Sequence, residues 1–382
     1  MEKPLIIICL SYILYLLIEK KKIAKKLKSF KYVIHVNGIR GKSSVCRMID
    51  AGVRKGNYKV FTKITGTSPR IINTKNSEIE IVRLGKPNIK EQMEAINLAY
   101  KEGAEILILE CMAVDPYLQM ICEEKIIKSN IGVITNVRYD HLDVMGKSLD
   151  KIAKSLSNTI PTDGILFVGD KKFYKFFEEV GNKRNTKVTL SDTFKLPSGS
   201  LSFEENYSIV FELCKYMGIS KELVIQSFDE YKRDPGSLKV YLYSNINNNK
   251  IFFINAMAAN DPDSSQIILE KILEKYEAIP NKYLMINNRI DRANRMEQFV
   301  DFVVKNEINF TKILVSGSPI EIFRKKLINK GISISKIEIL SNISSFDKYS
   351  GEVMILATGN ICGYGEELVD KIAKKGEIVY AV

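Results

Sequence analysis

The chain has 382 residues, 45% of them hydrophobic and 27% charged; this is too long for one ordinary domain, enough for two that each bury a core, and unlike a disordered scaffold. The net charge of +12 points to anionic partners, yet Lys20, Lys21, Lys22, Lys25, Lys26, Lys28 and Lys31 form one local cluster. With no zinc-finger spacing, RNA-binding aromatic signature or basic zipper, nucleic acid is not an expected partner, and six cysteines without a CxxC pair argue against a disulfide framework or a zinc site.

The first predicted element is an apolar run from Pro4 to Ile18, followed directly by the lysines. As a helix it rises roughly 22 Å, short of a hydrocarbon core of about 30 Å, although flanking lysines can snorkel and the bilayer can thin. The run is an anchor or a core helix of the first domain. The lysine block after it, with no small-residue cleavage site, favours an uncleaved cell-membrane anchor over residues 1–30. That reading places the rest of the chain in the cytoplasm, with the lysines on an anionic membrane surface.

Tyr32 to Val36 is a β-branched strand running into Asn37-Gly38-Ile39-Arg40-Gly41-Lys42-Ser43-Ser44 and then a helical stretch. Two further apolar strands, Ile106 to Leu109 and Ile131 to Thr135, end at Glu110 and at the NVRYDHLD segment. Parallel strands that end in polar groups bring those groups to one site. After the Asp234-Pro235-Gly236 turn come strands at Val240 to Tyr243, Ile251 to Ile254, Tyr283 to Ile286, Ile313 to Val315 and Val353 to Ala357, most of them separated by helical patterns. The expected fold is α/β: a phosphate-loop domain with a parallel-type sheet over 31–235, then a smaller Rossmann-like α/β domain over 236–382.

The loop has the parts of a phosphate cradle: Gly38 and Gly41 for close backbone approach, Lys42 to bridge phosphates, and the Ser43 hydroxyl for magnesium. The usual Walker spacing would place glycine where Val36 stands. Glu110 has no packing reason to end an apolar strand and suits a hard cation. His141 is one of only two histidines. Arg70, after the polar Thr65-Gly66-Thr67-Ser68 stretch, is a candidate for a substrate carboxylate, with an ordinary surface loop as the alternative.

The segments NGIRGKSS, LILECMAVDP, TNVRYDHLDVMG, NAMAANDPDSS, NNRIDRANRMEQF and ATGNICGYGEE resemble the ligase subunits of poly-γ-glutamate synthases, relatives of the Mur ligases and folylpolyglutamate synthases that use a shorter GxxGK(S/T) loop. The resemblance implies an ATP- and Mg2+-dependent ligase that joins glutamates through γ-carboxylates by way of an acyl phosphate, with poly-γ-glutamate as product and membrane subunits of a synthase and export complex as partners. It implies that Gly38, Arg40, Gly41, Lys42, Ser43 and Ser44 hold phosphates, that Ser43, Glu110 and His141 hold metal, that Asn206 meets the adenine, and that Asp261 and Arg292 contact the nucleotide. Lys42, Glu110 and His141 would be the catalytic group. Three features depart from the Mur pattern. Ser237 stands where Mur ligases carry an arginine, Ser155 stands where many carry a carbamylated lysine, and no room precedes the loop for a uridine-nucleotide domain. The alternatives are a folylpolyglutamate synthase-like ligase, and a membrane-tethered NTPase whose turnover ignores glutamate.

Overall fold

The computed structural model describes residues 2–66, 69–83, 85–197, 200–233, 237–258, 260–290 and 293–381. Contacts divide the chain into two units, Met1–Lys195 with Phe203–Lys232, and Leu196–Ser202 with Arg233–Val382. The Asp234-Pro235-Gly236 turn lies outside the described residues, as do Thr67, Ser68 and Arg292.

In chain order the first unit runs α1 (Glu2–Leu27), β1 (Tyr32–Asn37), α2 (Lys42–Lys55), β2 (Val60–Ile64), β3 (Arg70–Ile72), β4 (Glu78–Glu80), α3 (Glu91–Lys101), β5 (Ile106–Glu110) and α4 (Pro116–Ile121). A π-helix, Cys122–Ile127, leads to β6 (Ile131–Ile134), α5 (Leu142–Met145), α6 (Leu149–Leu156), β7 (Ile165–Val168), α7 (Tyr174–Lys183), β8 (Lys187–Leu190), α8 (Glu204–Tyr216) and α9 (Lys221–Glu230). The strands form a sheet ordered β4-β3-β2-β5-β1-β6-β7-β8. Strand β1 is buried from Val33 to Asn37 because it lies at the centre of the sheet and is covered on both faces. It is parallel to β5, with Val36 opposite Glu110, and to β6, with Asn37 opposite Ile134. Glu110, the loop after Asn37 and the segment after Ile134 therefore leave the same sheet edge.

The sheet is mixed rather than simply parallel. Strands β3 and β4 form an antiparallel hairpin on its edge, each only three residues long. Such short strands leave little alternation to detect in a sequence.

The expected membrane-spanning anchor also needs correction. Among the described residues no helix is long and apolar enough to cross a membrane. The apolar run and Lys20, Lys21, Lys22, Lys25 and Lys26 belong to one 26-residue helix, and its last turns are built into the first unit. Ile23 and Leu27 are buried there with Ala95, Ile96 and Ala99 of α3 and with Ile126 and Ile127. Burying two such side chains contributes about 3–6 kcal/mol at most, enough to fix the lysine-bearing end as packed helix rather than linker.

The second unit contains β9 (Lys239–Ser244), β10 (Lys250–Asn255), α10 (Pro262–Lys275), β11 (Asn281–Asn288), α11 (Ala293–Asn306), β12 (Lys312–Gly317), α12 (Ile320–Asn329), β13 (Ile337–Ile339), β14 (Val353–Gly359), α13 (Tyr364–Lys375) and β15 (Glu377–Ala381). Its sheet, ordered β13-β12-β11-β14-β10-β9-β15, is parallel from β13 to β10 and antiparallel at β9 and β15. An apolar layer including Phe253, Met285, Leu314 and Ile355 packs against one face.

Candidate active site

The loop between β1 and α2 is shaped by close backbone approach. Gly38 has φ +128°, and a Cβ there would lie 2.0 Å from Thr135 Oγ1 and 2.9 Å from the Thr135 nitrogen. Gly41 has φ +80°, and a Cβ there would meet the Asn206 side chain at 2.7 Å. Any residue but glycine at these two positions pushes the loop away from its neighbours. Helix α2 starts directly after Gly41 with no side-chain cap and no acidic residue in its first turn. Its leading N–H groups and the positive end of its dipole are thus available to an anion.

Lys42 Nζ donates to the Gly38 and Ile39 carbonyls at 2.7 and 3.2 Å. Burial depresses its pKa, and nearby Glu110 opposes that shift. Ser43 Oγ lies 3.1 Å from each oxygen of Glu110, which also accepts the Thr65 N–H at 2.7 Å, while Gln92 Nε2 holds the Glu110 carbonyl at 2.9 Å. A hydroxyl and a carboxylate thus converge beside the uncapped helix end. Among the described residues no group of three or more His, Cys, Asp and Glu forms a ready metal cluster. An oxygen pair completed by phosphate and water suits Mg2+, which keeps much of its hydration, better than a metal that needs a full protein cage.

The segment after β6 clamps the loop from the other side. Asn136 brackets Arg40, its Oδ1 accepting the Arg40 N–H at 3.0 Å and its Nδ2 donating to the Arg40 carbonyl at 3.1 Å. Thr135 Oγ1 donates to the same carbonyl at 2.6 Å, and the Arg40 guanidinium pairs with Asp140 at 2.8 Å. His141 follows with left-handed φ of 50°, its backbone N–H bonded to Asp140 Oδ1 and its Nε2 3.7 Å from Asp140 Oδ2. The structure therefore joins Ser43 to Glu110 directly, and links His141 to the loop through Asp140 and Arg40. Sequence reasoning missed the Asp140–Arg40 pair and the Thr135–Asn136 clamp; the quoted NVRYDHLD segment marked their location but not their partners.

Asn206, at the start of α8, is buried against Gly41 and has an Oδ1 with no hydrogen-bond partner. Ser44 lies in the first turn of α2 and is partly buried. Arg70 on β3 faces two carboxylates of its own hairpin, Glu78 at 3.5 Å and Glu80 at 3.9 Å. In the second unit Asp261 is buried and caps α10, accepting the Ser264 N–H at 2.8 Å. Ser155 is buried and accepts from Gln119 Nε2 at 3.3 Å, while Gln119 Oε1 accepts from Asn37 Nδ2 at the loop entrance. Lys154 beside it is exposed.

A family model described as the Mur ligase middle domain matches residues 36–216, and one described as the poly-gamma-glutamate synthase CapB C-terminal domain matches 240–375. The capsule biosynthesis protein CapB of Bacillus anthracis is 33% identical over 381 residues, spanning 95% of this chain and 81% of that protein. The PGA synthase CapB of Bacillus subtilis (strain 168) is 31% identical over 382 residues, spanning 96% and 97%. Among solved structures, E. coli FolC in complex with DHPP and ADP superposes with a TM-score of 0.64 at 13% identity, covering 93% of each chain. A bifunctional folylpolyglutamate synthase/dihydrofolate synthase with Mn, AMPPNP and L-glutamate bound gives a TM-score of 0.68 at 13% identity, covering 92% of this chain and 93% of that one. At such identity the structural likeness speaks for the fold alone.

Proposed function

Because the chain belongs to the CapB family of poly-γ-glutamate synthases, and is thus an ATP-dependent amide ligase that joins glutamates, we propose that its chemistry runs at the Asn37–Ser44 loop with Lys42, Ser43, Glu110 and His141 as the working residues. The observation that carries this reading is the convergence of Ser43 and Glu110 beside Lys42 at the uncapped start of α2.

When bound, ATP supplies the phosphoryl group that converts a γ-carboxylate into an acyl phosphate, a leaving group that the amine of the next glutamate can displace. Gly38, Arg40, Gly41 and Ser44 shape the cradle, and the first-turn N–H groups of α2 share the phosphate charge. Lys42, with its charge disfavoured by burial, gains most when an anion reaches it. Ser43 and Glu110 hold Mg2+, with His141 added from the clamped segment. Asn206 offers its unpartnered oxygen to the adenine amine. For Arg70 the reading is a glutamate or polyglutamate carboxylate. For Asp261 and Arg292 a nucleotide role rests on the family resemblance.

The product is a polyanion made for export, which fits membrane subunits as partners. We place α1 at the anionic membrane surface, entering no further than the near leaflet: its apolar stretch rises roughly 22 Å, short of a hydrocarbon core of about 30 Å, and its lysines follow at once. ATP turnover by membranes carrying the chain and its partner subunits, with and without glutamate, tests the whole reading together with labelled glutamate entering acid-precipitable polymer. Glutamate-dependent turnover and polymer that both vanish in Lys42→Ala support it. Turnover indifferent to glutamate, with no polymer, overturns it in favour of a tethered NTPase.

A further inference from the structure

At the foot of α1, where its apolar stretch gives way to lysines, the first unit has a cavity of about 130 Å³ between α1, α3 and the Cys122–Ile127 π-helix. Its floor is apolar, formed by Ile23, Leu27, Met93 and Ile126, and its rim carries Lys20, Lys125 and Lys128 with one carboxylate, Glu19. Among the described residues none of these three ammonium groups has a hydrogen bond or ion pair, whereas Lys26, six residues after Lys20, donates to Asn97 Oδ1 at 2.6 Å. Lys125 and Lys128 belong to the folded body and not to α1. The backbone of Lys128 is left-handed, φ 49°, as the cap of the π-helix.

Two features identify what such a cavity takes. Three cations over an apolar floor match a ligand that carries a phosphate at one end and hydrocarbon at the other; a free phosphate would use the lysines and ignore the floor. The helix leaving the cavity exposes Ile7, Ile8, Leu10, Tyr12, Ile13 and Leu14, each 52–64% accessible. At 100° per residue these positions cover every side of the helix, so a protein groove could cover only part of them and lipid covers all.

We propose that this cavity is a binding site for the headgroup of an anionic phospholipid, with Lys20, Lys125 and Lys128 on the phosphate, the apolar floor under the glycerol and upper acyl chain, and α1 continuing into the same leaflet. The inference rests on the reading that α1 meets an anionic membrane surface. It adds that the folded body, through Lys125 and Lys128, grips the lipid and so fixes its own orientation there.

Flotation of the full chain with phosphatidylcholine vesicles, with and without phosphatidylglycerol, tests this on K125Q/K128Q against K21Q/K22Q, a pair of equal charge change on α1 that does not line the cavity. For K125Q/K128Q, binding to phosphatidylglycerol vesicles should fall on the order of ten-fold, with pure phosphatidylcholine binding and ATP turnover unchanged. K21Q/K22Q should lose clearly less. Equal losses in the two pairs would mean diffuse attraction and overturn the site, as would full binding by K125Q/K128Q. Displacement by inorganic phosphate at constant ionic strength would overturn it in favour of a free-phosphate site. Wild-type protein that ignores phosphatidylglycerol would overturn the membrane-surface reading along with the site, so the two failures are distinguishable.

Discussion

The carboxyl-end edges of the two sheets carry polar residues in similar places and differ in what those residues are bonded to. In the first sheet Glu110 and Ser43 face each other, Lys42 is a partly buried cation bonded to carbonyls of its own loop, and α2 begins without a cap. In the second sheet Asn287 donates from Nδ2 to the Asn360 carbonyl at 2.5 Å and accepts from Ser316 Oγ at 2.9 Å, and α10 is capped by Asp261, although Asn288 keeps a buried Nδ2 without a partner. One edge keeps charge and donors ready for an anion, and the other spends neutral amides on its own shape. Lys42 and Glu110 should be costly to function and cheap to stability, and the Asn287 amide the reverse.

The largest effect follows from setting Lys42 and Glu110 against Asn287. Lys42→Ala and Glu110→Gln should each cut glutamate-dependent ATP turnover on the order of a thousand-fold. Folding disfavours the Lys42 charge, so Lys42→Ala should leave the urea midpoint unchanged or slightly higher. Asn287→Ala strands buried groups instead and should cost about 1–3 kcal/mol in the same unfolding measurement. A destabilised Lys42→Ala, or an Asn287→Ala of full stability, would break the contrast.

Next in size is Gly38→Ala. Its Cβ would sit on Thr135 with the backbone in a region L-residues rarely adopt, and about 3 kcal/mol or more should be lost by urea unfolding, together with turnover. This is the point where the active edge is also structural. A Gly38→Ala enzyme of normal stability would show that the loop is looser than its contacts with Thr135.

What was legible in the sequence was contiguous. Gly38, Gly41, Lys42 and Ser43 stand within six residues, and Glu110 ends an apolar strand where packing gives no reason for a carboxylate. The Arg40–Asp140 pair joins residues a hundred positions apart, and Asn37, Gln119 and Ser155 meet from three distant segments, so no local pattern could reveal them. The β3–β4 hairpin was too short to show alternation. Helix α1 was read as an anchor on its lysine block and missing cleavage site, local signals that outweighed a short apolar run, while the burial of Ile23 and Leu27 against α3 is tertiary.

Between the two edges in consequence lies His35, buried in β1 two residues before the loop, with Nδ1 2.7 Å from Glu123 Oε2. Burial alone would lower its pKa, but the Cys111 sulfur and the Glu123 carboxylate outweigh it and raise the value to about 10. A raised folded-state pKa contributes stability that is fully present below the unfolded value near 6.5 and is lost as pH rises through about 10. Urea midpoints should therefore decline across that window, and His35→Gln should flatten the decline. An unchanged slope in the variant would remove His35 from the account.

The smallest effects are expected beside the loop entrance, at Ser155, which the resemblance to Mur ligases sets where many of them carry a carbamylated lysine. Ser155 supplies one acceptor to Gln119, which also donates to the Val114 carbonyl at 3.0 Å, so Ser155→Ala should cost no more than about 1 kcal/mol. The neighbouring Lys154 is exposed. Lys154→Ala should therefore leave ATP turnover unchanged, with or without added bicarbonate. A large loss in Lys154→Ala that bicarbonate modulates in the wild type would place a carbamylated lysine back in this site and make the Ser155 substitution a displacement by one residue rather than a loss.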